Sequence, residues 1–352
     1  MFCCNNISAP WCGVHKEEKG GYGLIITKTP LRISFFGGGT DMKQFWREEE
    51  GCVLSCSINK YIYVIVNKSF DRLIHIKYFE QETVDSIDKI KHDLVRETMR
   101  KAGIEGGIEV VILSDIPHTG SGLGSSSTLT VGLLHAFYSY SGRKVSKEVL
   151  AQQACEVEID ILGKPIGKQD QYIASYGGLN KIVFQPNGTV KVQQVKTEYH
   201  ILPVLRKNLL LFYTGIGHRS EDILEEQTRM ITQTRPVLRK MKEQVNDAIR
   251  ILSGEDLEKL GALMQEGWTL KCQLASQISN SWLNGLIERA VKAGAMGAKI
   301  TGAGGGGFLL ILCKPELQEA VRKELEDLTE FDFDLEAGGT ELWMDNENLR
   351  FA

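Results

Sequence analysis

Residues 120–127 read GSGLGSSS, a stretch set between an apolar run at 110–113 and a helical pattern carried by Leu129, Leu133, Ala136 and Phe137. A strand, a glycine–serine turn and a helix in that order aim free backbone N–H groups and a helix N-terminus at an anion. Glycine permits close approach and positive φ, while serine hydroxyls cap the helix or hold a metal. A phosphate, that of a nucleotide, is the first ligand to consider. An ordinary serine-capped helix after a glycine turn is the plain alternative.

Which chemistry follows depends on the carboxylates and cations that reach such a loop. No Walker A lysine is present, because Gly163-Lys164 and Gly167-Lys168 are followed by Pro165 and Gln169. Phosphoryl transfer would then need a metal holder and a group that activates the acceptor hydroxyl. Glu158, on a helical stretch that stops at Gly163, and Asp170, in the string IGKQDQY, are the candidates. Mg2+ takes oxygen ligands, one or two carboxylates plus phosphates, with Ser126 as a further hydroxyl donor. An acceptor hydroxyl needs a base within hydrogen-bond reach on an ordered turn. Asp160 points elsewhere on its helix and makes a poorer ligand. Taken alone, each acid also reads as a solvated surface charge.

A third constellation is TPLRISFFGGGTD, residues 29–41. Arg32 alternates with Leu31 and Ile33 and so points out of the strand's buried face, with a strand-end surface charge as its alternative. Residues 37–39 then form a loop that presents Thr40 and Asp41, a donor–acceptor pair suited to sugar hydroxyls. A turn in which Asp41 caps a helix over 42–49 is compatible with the same residues. Residues 302–307, GAGGGG, formally match G-x-G-x-x-G, but a dinucleotide fingerprint must open a helix, and FLLILC follows instead. A strand–glycine loop–strand can lean over a nucleotide or substrate, and four successive glycines cost too much chain entropy for a bare hairpin. Seven histidines without HxxxH or HExxH argue against metal-dependent hydrolysis. His218 beside Arg219 reads as a helix-start surface pair, with a substrate phosphate contact as the alternative.

These residues need elements to position them. Segments 24–27, 31–36, 53–57, 61–66, 73–78 and 108–113 carry strand character. Residues 88–101 look helical. Residues 147–162 read as one helix with Leu150, Ala154, Val157 and Ile161 on one face, stopped by Gly163 and Pro165. Strands recur at 181–184 and 209–213. Long helical patterns then run over 220–252, 256–277 and 281–293, the first interrupted by Pro236, before strands at 298–301 and 308–313. Strands dominate early and helices late, which predicts an α+β chain with a boundary near 195–210. Residues 1–23 show neither period and read as a loose extension.

The chain has 352 residues, 42% of them hydrophobic, enough for a full core and two domains. A formal net charge of -4 argues against a general nucleic-acid or membrane-surface partner, while a few local cations suffice for a small anion. No apolar run approaches the ~18 residues that span a membrane, and the N-terminus lacks a signal-peptide core. Eight cysteines without a CxxC pair oppose a zinc cluster or a disulfide framework, and Cys155 and Cys313 read as buried thiols. The expected compartment is a reducing cytoplasm. A homodimer is left open.

Together the three segments resemble the GHMP small-molecule kinase superfamily. PLRISFFGGGTD occupies its first motif, PHTGSGLGSS (117–126) its second and KITGAGGGGF (299–308) its third, with matching order over roughly 24–345. The resemblance implies an α+β fold, with an N-terminal domain similar to ribosomal protein S5 domain 2 over 24–205. A ferredoxin-like C-terminal domain over 206–352 follows, and 1–23 remains an extension. It implies that Gly120, Ser121, Gly122, Leu123, Gly124, Ser125, Ser126 and Ser127 wrap the phosphates of ATP, and that Ser126 and Glu158 hold Mg2+. It makes Asp170 the catalytic aspartate and Arg32 the basic residue that supports it. Gly38, Gly39, Thr40 and Asp41, with Gly304 and Gly305, would bind substrate.

Galactokinases carry Glu-His before Thr-Asp in the first motif, where this chain has Gly38-Gly39. The first motif with IGKQDQY and ASYGG is most similar to the sugar C1-kinases that act on D-glycero-D-manno-heptose 7-phosphate. That likeness implies ATP-dependent phosphorylation of the anomeric hydroxyl, giving the 1,7-bisphosphate for nucleotide-activated heptose synthesis. The L-fucose kinase branch shares much of the pattern. A non-catalytic sugar and ATP sensor on the same fold is the reading from another class, opposed by the intact Asp170, Arg32 and Glu158. Thr128 stands where the family usually has alanine.

Overall fold

Alternation in the first seventy residues builds two long strands rather than four short ones. In the computed structural model, which describes residues 23–116, 120–196, 201–217 and 220–345, β1 (Ile25–Phe36) runs unbroken through Pro30 and β2 is Gly51–Lys68. Pro30 is tolerated because the β1–β2 ladder shifts register there and the other neighbour of β1 reaches only residues 25–28. The remaining strands of the first half are β3 (Ile74–Lys77), β4 (Gln81–Val84), β5 (Ile108–Ser114), β6 (Leu179–Phe184) and β7 (Val190–Gln194). Those of the second are β8 (Leu209–Tyr213), β9 (Gly297–Ile300), β10 (Phe308–Leu312), β11 (Thr329–Glu330) and β12 (Glu341–Asp345). Most of the expected extension 1–23, Pro117 of the second motif and the His218–Arg219 pair lie outside the described residues.

The first sheet has the order β12-β1-β2-β5-β3-β4. Strand β2 is long enough to pair β1 along one side while its first part pairs β6 and its second part β5 on the other. Strand β7 extends the β6 branch. The second sheet, β11-β8-β10-β9, is antiparallel throughout. The helices of the first half are α1 (Lys43–Trp46), α2 (Asp93–Ala102), α3 (Ser125–Tyr140), α4 (Lys147–Cys155), α5 (Gln169–Tyr176) and α6 (Ile201–Asn208). Those of the second are α7 (Ser220–Ser253), α8 (Leu257–Lys271), α9 (Ser281–Lys292) and α10 (Gln318–Glu324). The strand-rich first part and helix-rich second part agree with the expected α+β architecture. The expected division at 205/206 falls inside α6, and β12 returns to the first sheet beside β1.

Three helical expectations change. The stretch over 147–162 is α-helical only to Cys155, and residues Glu156–Ile161 continue it as a π-helical turn closed by Leu162 N–H donating to Val157 O at 3.0 Å. The wider turn rotates the face, so Ile161, placed with Leu150 and Val157 by α-helical spacing, is 49% exposed. Pro236 does not interrupt α7, whose 34 residues are continuous. Helix α8 stops at Lys271, short of the expected Gln277. Among the described residues no helix is long and apolar enough to cross a membrane.

The main core joins both halves. Leu31, Ile33, Leu54 and Val64 of the first sheet belong to one buried cluster with Leu211, Phe308 and Leu310 of the second. Burying each such side chain contributes about 1.5–3 kcal/mol, so the halves are held by the same apolar material that holds each sheet.

Candidate active site

Arg32 stands midway along β1 with Leu31 and Ile33 on the opposite face. Its own face is covered too: Arg32 is 4% exposed, which corrects the expectation of an outward-pointing side chain. What covers it is polar. Arg32 Nε and Nη2 donate to Asp170 Oδ1 and Oδ2, each at 2.6 Å. Nη1 donates to Gly122 O at 2.6 Å, and the Arg32 backbone N–H donates to Leu123 O at 3.1 Å. A bidentate guanidinium–carboxylate pair is fixed in direction as well as distance. One arginine therefore ties the glycine loop to an aspartate in the first turn of α5.

The loop itself is left-handed at Gly120, Gly122 and Gly124, with φ of 67°, 69° and 80°. Gly124 is the N-cap of α3, so the helix points its N-terminus into the loop. The eight residues divide: Gly120, Gly122, Gly124, Ser125 and Ser126 reach the surface, whereas Ser121, Leu123 and Ser127 are buried. Ser121 Oγ accepts from Leu123 N–H at 3.3 Å and so shapes the loop. The second glycine run packs directly on the first. A Cβ on Gly302 would lie 2.5 Å from Gly122 Cα, and one on Gly122 would lie 2.7 Å from Thr301 O. Gly304 and Gly305 turn away toward Ile278, whose carbonyl accepts from Gly305 N–H at 2.7 Å. Gly302 and Ala303 face the cavity instead.

Glu158 projects from the π-helical turn and is fully buried. Ser126 Oγ donates to Glu158 Oε1 at 2.6 Å, and Gln171 Nε2 donates to Oε2 at 2.7 Å. Burial raises the Glu158 carboxyl above its usual range, opposed by the Ser126 bond and the nearby Lys164 charge. Lys164 Nζ lies 3.4 Å from Ser126 Oγ, so a lysine from a distant segment stands where the loop has none of its own. Asp160 faces outward, 3.3 Å from Lys43.

Asp41 does not cap α1, which has no side-chain cap. Its Oδ1 accepts from Gly39 N–H at 2.9 Å and its Oδ2 from Gln169 N–H at 3.3 Å. Only glycine fits at 167, because a Cβ there would lie 1.9 Å from Asp41 Oδ2. Burial, and then the charge of Asp170, raise the Asp41 carboxyl. The Thr40 hydroxyl is occupied by the turn: it lies 2.8 Å from Gly37 O and 2.9 Å from Cys52 O, and accepts from Cys52 N–H at 3.1 Å. Gly38 lines a smaller cavity beside Lys299, whose ammonium donates to Ser34 O at 3.1 Å and Phe35 O at 2.9 Å. Burial brings Lys299 down to about 7.

Arg32, Asp41 and Asp170 share the wall of a cavity of about 70 Å³. Sequence reasoning missed two further residues on that wall, Gln227 of α7 and Lys271 of α8. A signal existed for both. Each interrupts an otherwise apolar helical stripe, Gln227 between Ile223 and Ile231, and Lys271 after Leu260, Met264 and Trp268. The arrangement offers a phosphate-sized loop on one side of a clamped carboxylate and a polar cavity on the other. A hydroxyl in that cavity would stand between Asp170 and whatever the loop holds.

Residues 89–178 match the GHMP kinases N terminal domain and residues 246–328 the GHMP kinases C terminal domain. A D-glycero-alpha-D-manno-heptose 7-phosphate kinase of Campylobacter jejuni is 30% identical over 341 residues, which cover 91% of this chain and 98% of that protein. The chain is a GHMP kinase. A crystal structure of a D-glycero-D-manno-heptose 1-phosphate kinase from Bacteroides thetaiotaomicron has the same fold, with a TM-score of 0.76 at 24% identity, covering 91% of this chain and 99% of that one. A bifunctional fucokinase/GDP-fucose pyrophosphorylase of Arabidopsis thaliana is 26% identical across 86% of this chain and 31% of that longer protein. This GHMP kinase is a sugar kinase, a phosphotransferase that uses ATP and a hydroxyl acceptor.

Proposed function

We propose that this GHMP kinase transfers the γ-phosphoryl group of ATP to the anomeric hydroxyl of D-glycero-D-manno-heptose 7-phosphate, in the cytoplasm, giving the 1,7-bisphosphate. Asp170 accepts or orients the hydroxyl proton, and Arg32 fixes both carboxylate oxygens so that the aspartate presents one direction to the acceptor. The surface residues of the loop, Gly120, Gly122, Gly124, Ser125 and Ser126, take the phosphates, with backbone N–H groups and the α3 N-terminus supplying fixed dipoles. Residues 24–205 form the nucleotide-binding part and 206–352 the part that closes the acceptor cavity. The Ser126–Glu158 pair suits Mg2+, since both are hard oxygen donors already held side by side. Among the described residues no group of three or more His, Cys, Asp or Glu side chains could hold a metal, so the cation would share its ligands with the nucleotide. When bound, it neutralises charge on the transferring phosphates.

The observation that carries the choice of sugar is a second cavity, of about 260 Å³, that also has Asp41 in its wall. Lys43, Arg47 and Lys168 line it, three cations against the two carboxylates of Asp41 and Asp160. Burial lowers Lys168; Cys155 and Asp160 oppose that shift, and the charges of Lys43 and Arg47 add to it, so a phosphate dianion here would meet three cations. A sugar held by Asp41 would place its attacked hydroxyl toward Asp170 and its far phosphate toward these cations. L-Fucose, suggested by the fucokinase relative, has no group for that cavity.

ADP formation measured with heptose 7-phosphate, L-fucose, galactose and mannose tests this directly. Turnover with fucose but not with the phosphorylated heptose would refute the substrate. Asp170→Asn is expected to lower kcat by about 10²–10⁴-fold while leaving nucleotide binding intact. Turnover near that of the wild type in this variant would remove Asp170 from the mechanism.

A further inference from the structure

Gln227 and Lys271 are buried polar groups that the fold itself does not use. Gln227 is 3% exposed, yet neither its Oε1 nor its Nε2 has a hydrogen-bond partner. Lys271 is 9% exposed, feels the charges of Asp41 and Asp170, and among the described residues its ammonium makes no hydrogen bond or ion pair. Buried amides and ammonium groups are ordinarily satisfied, because leaving them open forfeits the hydration they had in the unfolded chain. Both side chains reach the same cavity wall as the two carboxylates, from two different helices of the second half. Two independent helices thus deliver unsatisfied groups to one place, beside the residue that faces the reacting hydroxyl.

We propose that Lys271 and Gln227 bind the acceptor sugar and select for a pair of adjacent hydroxyl groups. The inference rests on the kinase reading of the Asp170 cavity and adds residues that it does not assign. The donor–acceptor inventory is complementary. A carboxylate only accepts, an ammonium only donates, and an amide does both. One sugar hydroxyl can donate to Asp41 while accepting from Lys271, and its neighbour can donate to Gln227 Oε1 while accepting from Gln227 Nε2–H. Such a set rejects an acceptor that lacks one of the two hydroxyls, since a buried group of the protein would be left open. The α7 and α8 helices, outside the nucleotide loop, thereby set sugar specificity.

The test compares the wild-type full chain with Lys271→Met, Lys271→Arg and Gln227→Leu, using ATP and D-glycero-D-manno-heptose 7-phosphate. The expected result is at least a tenfold rise in sugar KM for K271M and at least threefold for Q227L, with ATP KM unchanged within twofold. K271R should recover part of the loss. Melting curves should show unliganded variants at least as stable as the wild type, a smaller rise with sugar and an undiminished rise with Mg·ADP. Sugar KM and sugar-dependent melting unchanged within twofold in both K271M and Q227L would overturn the proposal. So would a fall in kcat at constant sugar KM, which would assign Lys271 to the transferring phosphoryl group, or a joint rise in ATP KM with loss of stability, which would mark a structural role. If K271M does not fold, Q227L and K271R decide. If the wild type turns over L-fucose and not the heptose, the substrate reading fails, and the same comparison made on L-fucose decides this one.

Discussion

Lys271 illustrates what a single residue contributes when no ligand is bound. Burial, with the Arg32 charge, lowers its ammonium to about 8, against the opposing pull of Asp41, Asp170 and Cys272. Because the folded pKa lies below the unfolded value near 10.5, the unfolded chain binds more protons between those values, and stability from this site rises with pH across that window. Below pH 8 the full cost is present. Lys271→Met should therefore melt a few degrees higher than the wild type at pH 7, with the difference shrinking toward pH 10. Melting temperatures of both proteins at pH 7 and 9.5 check this, and an equal difference at both values contradicts it. At this scale residue type and motif context singled out Asp170, Arg32, Ser126, Glu158 and Asp41, and the structure brings Arg32 against Asp170 and Ser126 against Glu158. The part played by the Thr40 hydroxyl was not legible there, because its three backbone partners come from a turn and a neighbouring strand. Gln227 and Lys271 were missed for a similar reason, since only the packing of α7 and α8 decides which groups face them.

Elements matter here chiefly where two glycine runs touch. Gly122 and Gly302 both have positive φ; a Cβ on Gly302 would strike the Gly122 backbone, and one on Gly122 would strike Thr301. Glycine at these positions is required by backbone contact as well as by its freedom at positive φ. Gly302→Ala should push the phosphate loop off its support, raising ATP KM about tenfold or more and lowering stability through strain alone by about 1 kcal/mol, read as a lower melting temperature. Gly254→Ala, whose Cβ would make only an ordinary contact at 3.6 Å, is the control and should change neither. Kinetics on the pair separate a positional effect from a general glycine effect. Element type was legible from periodicity for most strands and for the long helices. Continuity was not: 24–27 and 31–36 read as separate strands and Pro236 as an interruption, yet β1 runs on through Pro30, where its ladder shifts register, and α7 runs on through Pro236. The π-helical turn at Glu156–Ile161 was equally invisible, because one extra residue per turn leaves no compositional mark.

The molecule as a whole is joined twice. The chain passes from the first sheet to the second through α6 and comes back through residues 331–340 to lay β12 against β1. Phe331 N–H donates to Leu211 O at 2.7 Å at one end of that return, and Thr340 N–H donates to Ala174 O at 2.8 Å at the other. Strand-then-helix order in the sequence predicted two parts, but no local pattern announces that the last strand belongs to the first sheet, since that pairing spans more than 300 residues of chain. The same pairing sets Ile25 directly opposite Asp345. Neighbours in an antiparallel ladder are only ~5 Å apart, so the described polypeptide is topologically a ring closed by backbone hydrogen bonds. Its order of synthesis is then separable from its architecture. A circular permutant that joins residue 352 to residue 1 and opens between Gly254 and Glu255, an exposed turn where Glu255 holds φ at +56°, should assemble the same two sheets and phosphorylate the same sugar.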